Sequence, residues 1–154
     1  MSTRLAILLG APLLAAVAAA AYVRLTPMPA EDWHADPTLG ARTGKPNDYL
    51  MGPDGDRPAL RVDLPPDAVL ARIEAVALAE PNTSRLAGAP DDGWATYVQR
   101  SRLMAFPDAI SVRAVPDGGG SRLSIWSRSR YGYGDLGVNA ARVARWLRAA
   151  GLDD

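Results

Sequence analysis

The sequence of 154 residues contains no cysteine and only one histidine, His34. Without cysteine the protein can have no disulfide framework, no thiolate zinc site, no cysteine nucleophile and no lipidated N-terminal cysteine. A single histidine excludes a multi-histidine metal site and argues against Ser-His-Asp catalysis. We therefore expect a protein that is not an enzyme and that binds no metal and no cofactor.

Net charge is also lacking, because 17 basic residues balance 17 acidic ones, yet the two signs separate along the chain. Residues 25–99 hold six basic and twelve acidic side chains, a net charge of −6, whereas residues 100–148 hold nine arginines against three aspartates, a net charge of +6. Guanidinium groups bind carboxylates, phosphates and aromatic faces. The basic half therefore indicates either an anionic partner or ion pairs with the acidic half of the same chain.

Residues 1–24 have the pattern of a transmembrane anchor or a signal segment. Leu5–Val23 is a run of 19 uncharged residues between two arginines, and a helix of that length spans roughly 28 Å, close to the hydrocarbon thickness of a bilayer. Small-x-small triplets within residues 16–21 also fit signal cleavage. Three alternatives stay open: a single-pass inner-membrane anchor with the domain in the periplasm, secretion to the periplasm after cleavage, and a buried helix.

Residues 25–58 contain six prolines and four glycines and show no sustained apolar period. Such a composition is typical of extended or turn structure, so we predict a linker here. Trp33 and the apolar run Tyr49–Met51 are too hydrophobic for a solvated tether, and we expect part of the linker to pack on the domain that follows. We expect His34 to be solvated or locally bonded rather than catalytic.

Residues 59–154 alternate between strand and helix patterns. Apolar residues recur with a helical period from Asp67 to Glu80, and again in a last helix for which Asn139 is the predicted N-cap and Gly151 the C-cap glycine. This order predicts an α+β fold, with an N-terminal membrane helix and a small antiparallel sheet of about four strands that packs two helices on one face. Alternating apolar and polar residues predict strands at Ala59–Leu64, Ser84–Ala87, Trp94–Leu103, Ala109–Val115 and Ser121–Arg130.

The last strand and the last helix have faces that the sequence defines clearly. In the strand, Leu123 and Ile125 point to one side. Because Arg128 lies on the other side with Arg122 and Trp126 and precedes a glycine-rich loop, we expect it to be exposed. In the helix, a stripe is predicted to be buried against the sheet, formed by Val143, Trp146, Leu147 and Ala150.

The segment from Trp126 to Trp146 carries the most informative pattern, WSRSRYGYGDLGVNAARVARW. It resembles a family of bacterial and plant-plastid proteins, domain of unknown function 1499, whose hallmark is similar to S-R-x-G-x-x-D-L-G-x-N-x-x-R-V. Phe106-Pro107-Asp108 and Ala95-Thr96 extend the resemblance over residues 45–150, and Asn47-Asp48 stands where the resemblance implies Asn-Cys. The resemblance implies the same domain and brings no reaction with it. The matching positions are Ser129, Arg130, Gly132, Asp135, Leu136, Gly137, Asn139, Arg142 and Val143.

The candidate binding site lies in this motif, and two interpretations of it stay open. In one, Arg130, Asp135, Asn139 and Arg142 form a hydrogen-bonded clamp between the last strand and the last helix. Asp135 then accepts backbone amides at the start of that helix or pairs with Arg142. In the other, Arg128, Arg130 and Arg142 form a pocket for a carboxylate, a phosphate or a lipid headgroup. The predicted binding residues are Arg128, Ser129, Arg130, Asp135, Asn139 and Arg142.

These features predict a membrane-anchored, periplasm-facing binding or accessory module. Its arginine-rich face would bind an anionic lipid, a glycan or a membrane-complex partner, and Leu5–Val23 would contact the membrane. The alternatives are a purely structural accessory subunit of a membrane complex and, last, an envelope enzyme that uses Asp135 as a base or Ser129 as a nucleophile. The exported location argues against nucleic acid as a partner.

Overall fold

The computed structural model describes residues 3–40, 42 and 44–153, with side chains from Pro12 onward apart from that of Leu13. In this part of the chain there are four α-helices, two 3-10 helices and six β-strands. The helices are α1 (Thr3–Leu25), α2 (Ala30–Trp33), α3 (Pro66–Ala79) and α4 (Val138–Ala149), and the 3-10 helices are Pro37–Leu39 and Pro90–Asp92. The strands are β1 (Asp48–Met51), β2 (Leu60–Val62), β3 (Thr83–Ala89), β4 (Trp94–Arg100), β5 (Pro107–Asp117) and β6 (Gly120–Ser129).

The six described strands form one antiparallel sheet in the order β1-β6-β5-β4-β3, with β2 also paired to β6. Strands β1 and β2 follow one another along the same edge of β6, since Met51 lies opposite Ile125 and Leu60 lies opposite Leu123. The α+β class is confirmed, but the sheet has six strands where about four were predicted. Strand β1 was missed because it lies in the predicted linker, and its partner β6 is too distant in sequence to leave a local pattern.

Within the described part of the chain, no helix combines the length and the hydropathy that crossing a bilayer requires. The predicted span Leu5–Val23 falls partly outside that part, because the side chains of residues 5–11 and 13 are not described. The membrane anchor therefore stays a proposal.

The main core lies between the sheet and the helices α3 and α4. The predicted stripe of α4 is confirmed, since Val143, Trp146 and Leu147 are all buried. The Trp146 indole meets the ring of Tyr97 in β4 edge-on, with the ring centroids 5.9 Å apart, an arrangement that aromatic quadrupoles favour. Helix α4 is thereby fixed against the centre of the sheet.

Helix α3 is one residue displaced from the prediction of Asp67–Glu80. It begins at Pro66, where proline costs no helical hydrogen bond because the first turn has unpaired amides anyway. It ends before Glu80, which is extended and precedes Pro81. The two proline signals thus set both ends of the helix.

The opposite face of the sheet is covered by residues 26–40, which we call the strap. Met28 and Trp33 of the strap pack with Val98 of β4 and Ala109 of β5 in a second, smaller apolar cluster. Part of the predicted linker was expected to pack on the domain, and this packing is confirmed. The sheet therefore has α3 and α4 on one face and the strap, with its two short helical turns, on the other.

His34 lies within the strap and is bound to a residue distant in sequence. Its ring stacks on the Trp94 indole with centroids 3.8 Å apart, and its Nδ1 lies 2.8 Å from Thr96 Oγ1. Burial, together with the nearby positive charge of Arg128, lowers the pKa of His34. The neutral ring is therefore favoured, and His34 helps to hold the strap on the sheet.

The start of α4 differs from the prediction of Asn139 as N-cap. Gly137, with φ of 80°, is the residue before the helix, and Asn139 lies inside the first turn and is fully buried. The helix does not need Asn139 as a cap, because the Asp135 carboxylate accepts the backbone N–H groups of Gly137 (3.0 Å) and Asn139 (2.8 Å). The Asn139 side chain is thus free to contact the sheet. At the other end, Gly151 follows the helix with φ of 64°, as predicted.

Candidate functional site

Arg142 is the centre of a buried hydrogen-bond network between α4 and the sheet. Its side chain is 5 % exposed and that of its ion-pair partner Asp108 is 13 % exposed, so water is largely excluded from the pair. The guanidinium fits such a network because its planar fork offers five donors in fixed directions. It donates to Gln99 Oε1 (2.7 Å), Ser127 Oγ (2.8 Å), Asn139 Oδ1 (2.6 Å) and Asp108 Oδ2 (2.6 Å). We call these five residues the clamp.

Asn139 connects the clamp to the N-terminal part of the domain. Its Nδ2 donates to the carbonyl of Asn47 (3.0 Å) and to Ser129 Oγ (3.1 Å). Asn47 in turn donates from Nδ2 to the carbonyl of Gly132 (2.9 Å), in the loop of residues 130–137 between β6 and α4, which we call the motif loop. Both polar groups of the buried Asn139 amide are therefore satisfied, as a buried amide requires. The clamp thus joins α4, three strands, the segment before β1 and the motif loop.

Asp135 was expected either to accept backbone amides or to pair with Arg142, and the structure has the first arrangement. Both of its carboxylate oxygens accept amides at the start of α4, where the positive end of the helix dipole favours a negative charge. Arg142 instead pairs with Asp108. Asp135 is a helix cap beside the clamp.

Arg128 is not exposed, and that prediction was wrong. The residue is 4 % exposed, with its guanidinium between the ring of Trp126 (4.0 Å to the centroid) and the ring of Trp33 (5.4 Å). It donates to the carbonyl of Trp33, and its Nε has no hydrogen-bond partner in the described part of the chain. Burial lowers the pKa of Arg128 to about 10. The exposure was mispredicted because the strap, taken for a linker, covers this face.

The strap also binds two other arginines of the same face. Arg130 is half-buried and donates to the carbonyl of Pro27, and Arg113 forms an ion pair with Asp36. The latter pair joins the basic and acidic halves of the chain, as one interpretation of the charge pattern predicted. The three arginines expected to share an anion pocket are not brought together, since Arg142 lies on the helix side of the sheet and Arg128 and Arg130 lie on the strap side.

A cleft of about 370 Å³ opens beside the clamp, at the end of the sheet where β6 meets the motif loop. Of the predicted binding residues, Ser129 and Asp135 line it, and Asp108 adds a second carboxylate. Phe106 and Tyr131 form an aromatic wall, with their ring centroids 6.0 Å apart. No arginine is among the lining residues in the described part of the chain, nor do three His, Asp or Glu side chains meet there in a way that could hold a metal. The cleft suits a ligand with hydrogen-bond donors and an apolar part better than an anion.

Gln99, Asp108 and Asn47 belong to this region but were not predicted. Gln99 lies directly opposite Asp108 in the β4–β5 pairing, and Asp108 lies opposite Ser129 in the β5–β6 pairing. The side chains of Gln99, Asp108 and Ser129 therefore stand in one row across the end of the sheet. Because the row is contributed by three strands, no local motif marks it. Strand register was the signal that could have found it.

A comparison with protein-family models identifies the family of this chain. The model described as protein of unknown function, DUF1499, matches residues 25–150. The chain belongs to this family. The resemblance inferred from the C-terminal motif is thus confirmed, and because the match begins at residue 25, the DUF1499 domain includes the strap and β1. A search of curated proteins found no match.

The motif of the DUF1499 domain contains residues of two kinds. Asn139 and Arg142 are buried in the clamp, and Asp135 caps α4, so these three maintain the fold. Leu136 is fully exposed and has φ of 54°, a conformation that leucine rarely adopts. No packing requirement of the domain accounts for a leucine there, and its side chain is open to contact from outside the domain.

Proposed function

We propose that this DUF1499 protein is a membrane-anchored, periplasm-facing accessory module with a binding role. The observation that carries the proposal is the joint between α1 and the domain. Arg100 donates to the carbonyls of Val23 (3.2 Å) and Thr26 (3.0 Å), and Arg24 donates to the carbonyl of Leu103 (2.9 Å). Carbonyls at a helix end need such donors. The domain is therefore held directly at the end of the uncharged segment Leu5–Val23.

The joint favours an anchor over a cleaved signal. The bond to Val23 uses a carbonyl in the last turn of α1, and that turn depends on the residues before it to remain helical. An uncleaved α1 gives a single-pass inner-membrane protein with its domain in the periplasm, and cleavage within residues 16–21 would instead release the domain.

A binding role fits the residues of the cleft better than catalysis does. Both oxygens of Asp135 are occupied by backbone amides, which suits a cap and not a base. Ser129 Oγ accepts from Asn139, and in the described part of the chain it has no imidazole or carboxylate partner that could activate it. His34, which is part of the strap, is held against the sheet by Thr96. The clamp keeps the walls of the cleft in place, so we assign ligand binding to the cleft rather than to the arginine face.

A purely structural accessory subunit is the second candidate. It is favoured by the burial of Arg128 and Arg142, two of the residues first expected to bind a ligand. Co-purification from mild detergent, followed by mass spectrometry, separates the two. Stoichiometric capture of a membrane complex by the wild type and equally by a Phe106→Ala variant of the cleft supports the structural role.

Topology tests the anchor itself. Alkaline phosphatase fused after Arg24 should be active in intact cells, and an inactive fusion would overturn the proposal. A matched fusion carrying Leu14→Arg and Val17→Arg should be inactive, because two charges in the apolar segment prevent insertion. The intact mass of the purified full chain should show residues 1–24 retained, whereas loss of about 20 residues would mean a cleaved signal.

A further inference from the structure

Exposed apolar side chains collect at one end of the domain. Beyond α1, eight large hydrophobic residues are exposed in the described part of the chain, and only Leu39 and Leu78 lie elsewhere. A contiguous apolar patch marks an interaction surface, whereas single exposed apolar residues scattered over a surface are normal. The other six lie in the β4–β5 loop (residues 101–106) or in the β6–α4 segment (residues 130–138): Leu103, Met104, Phe106, Tyr133, Leu136 and Val138.

These two loops are neighbours, and both adjoin the end of α1. Phe106 of the first and Val138 of the second line the same cleft. The hydroxyl of Tyr131 donates to Thr26 Oγ1 (3.2 Å), immediately after α1, and Arg24 binds the carbonyl of Leu103. Whatever surface receives the C-terminal end of α1 therefore also meets the two loops.

Each loop has one residue in a backbone conformation that its side chain disfavours. Ala105 has φ of 57° and Leu136 has φ of 54°. Asn and Asp adopt this conformation with little strain, but alanine and leucine do so rarely. In the second loop the strained residue is also the most exposed, so that its isobutyl group projects into solvent.

The surface beside the first loop is positively charged. A cavity of about 460 Å³ is lined by Arg24, Arg100 and Arg102, together with Thr83 and Ser101, and no acidic residue is among its described lining. Arg100 is committed to backbone carbonyls, whereas the guanidinium of Arg102 has no hydrogen-bond partner in the described part of the chain. Arg24 uses only Nη2, which donates to the Leu103 carbonyl. Its other donors and the guanidinium of Arg102 are therefore available to a phosphate, the group that arginine recognises best.

We propose that the two loops dock on the surface of the bilayer that holds α1, and that the partner is anionic phospholipid. Leu103 and Leu136 enter the interface between headgroups and acyl chains, and a headgroup phosphate occupies the cavity between Arg24 and Arg102. Apolar area and basic charge act together in such docking, as they do in interfacial helices. The inference rests on the proposed function, because it requires α1 to lie in the membrane.

The absence of cysteine makes the test clean, because a single introduced cysteine is the only site for a thiol label. The full chain carries Leu103→Cys or Leu136→Cys, labelled with a polarity-sensitive fluorophore, in nanodiscs of phosphatidylcholine with or without phosphatidylglycerol. Both labels should report an apolar environment in the anionic discs. The matched control is Leu39→Cys, an exposed leucine next to Gly40, which lies against Pro53 and away from both loops; this label should report water in every disc.

The basic residues are tested with Arg24→Gln combined with Arg102→Gln. Each arginine near an anionic surface should raise the ratio of docked to undocked molecules about fivefold, so the pair should lower it roughly 25-fold. High salt should have the same effect on the wild type. The control Arg148→Gln, at the far end of α4, should leave the ratio unchanged.

Each failure has its own signature. A chain that enters the discs but whose two labels report water in anionic lipid overturns the docking and leaves the anchor intact. A chain that does not enter the discs and lacks its N-terminal mass overturns the proposed function. Labels that are shielded only when a disc holds two copies of the chain identify a second copy as the occupant, which also overturns the lipid proposal.

Discussion

Replacement of Arg142 by alanine should lower the free energy of unfolding by about 3 to 5 kcal/mol. The substitution leaves the Asp108 carboxylate, which is 13 % exposed, without its cation. It also removes one hydrogen bond each from Gln99 Oε1 and Asn139 Oδ1 inside the protein. An uncompensated buried charge accounts for most of the loss. In a chain of this length the melting temperature should fall by about 6 to 20 °C.

The measurement is urea unfolding of the full chain in detergent, followed by tryptophan fluorescence. Arg145→Ala is the matched control, because Arg145 lies on the same helix and binds Glu80 (2.6 Å) but is 48 % exposed. An exposed pair of this kind contributes at most about 1 kcal/mol. If the two variants lose equal stability, or if Arg142→Ala loses less than about 1 kcal/mol, the guanidinium is not a buried clamp. Replacing an arginine that lined an open anion site would cost less than about 1 kcal/mol of stability.

Trp146→Ala should cost about 3 to 5 kcal/mol in the same assay, because the indole is fully buried; unchanged stability would refute the packing of α4. The hydrogen bond from Arg145 holds the pKa of Glu80 at about 2, below its ordinary value of 4.5. The stability that Glu80 contributes should thus be present above pH 4.5 and be lost as the pH falls towards 2, and Glu80→Gln should flatten this part of an acid titration of unfolding. Arg128→Met should lower the free energy of unfolding less than Arg128→Ala does, because methionine fills the space between two indoles without a buried charge. A larger loss of stability for methionine in urea unfolding would contradict the burial of Arg128.

The elements that the sequence predicted well are those with local signals. Helices α3 and α4 were found from the 3.6-residue period of their apolar stripes and from their flanking proline and glycine residues. The alternation that predicted a strand at Ala109–Val115 also agrees with β5, since Ile110, Val112 and Ala114 all lie in the main core. These patterns need no knowledge of which strands pair.

The strap and β1 could not be predicted in this way, because their partners lie far along the chain. Proline and glycine make the segment irregular, yet Trp33 and Met28 find an apolar site on β4 and β5 that no local window reveals. The burial of Arg128 follows from that same non-local contact. A composition typical of a linker therefore concealed a structural part of the domain.

In the candidate site, strand alternation predicts which face of the sheet each motif residue lies on, and grouping the residues by motif overlooked this. Ser129 and Arg128 are consecutive, so their side chains must lie on opposite faces of the sheet. Ser129 contacts Asn139 on the helix side, while Arg128 contacts Trp33 on the strap side. Residues grouped by their position in a motif thus belong to two different surfaces. The neighbours Gln99 and Asp108 required the register of the sheet, which the sequence does not state.

The strap also has a consequence for the order in which the protein can fold. Trp33 receives its hydrogen bond from Arg128, 95 residues later, and Pro27 receives one from Arg130, 103 residues later. During synthesis the binding face of the strap begins to form with β4 and β5 and is complete only when β6 has been made. Met28 and Trp33 stay exposed in the meantime. Contacts of such long sequence separation slow folding and leave hydrophobic surface open to aggregation. The domain should therefore fold late and slowly relative to a helical protein of its size, closing from its C-terminal strands back onto its N-terminal segment.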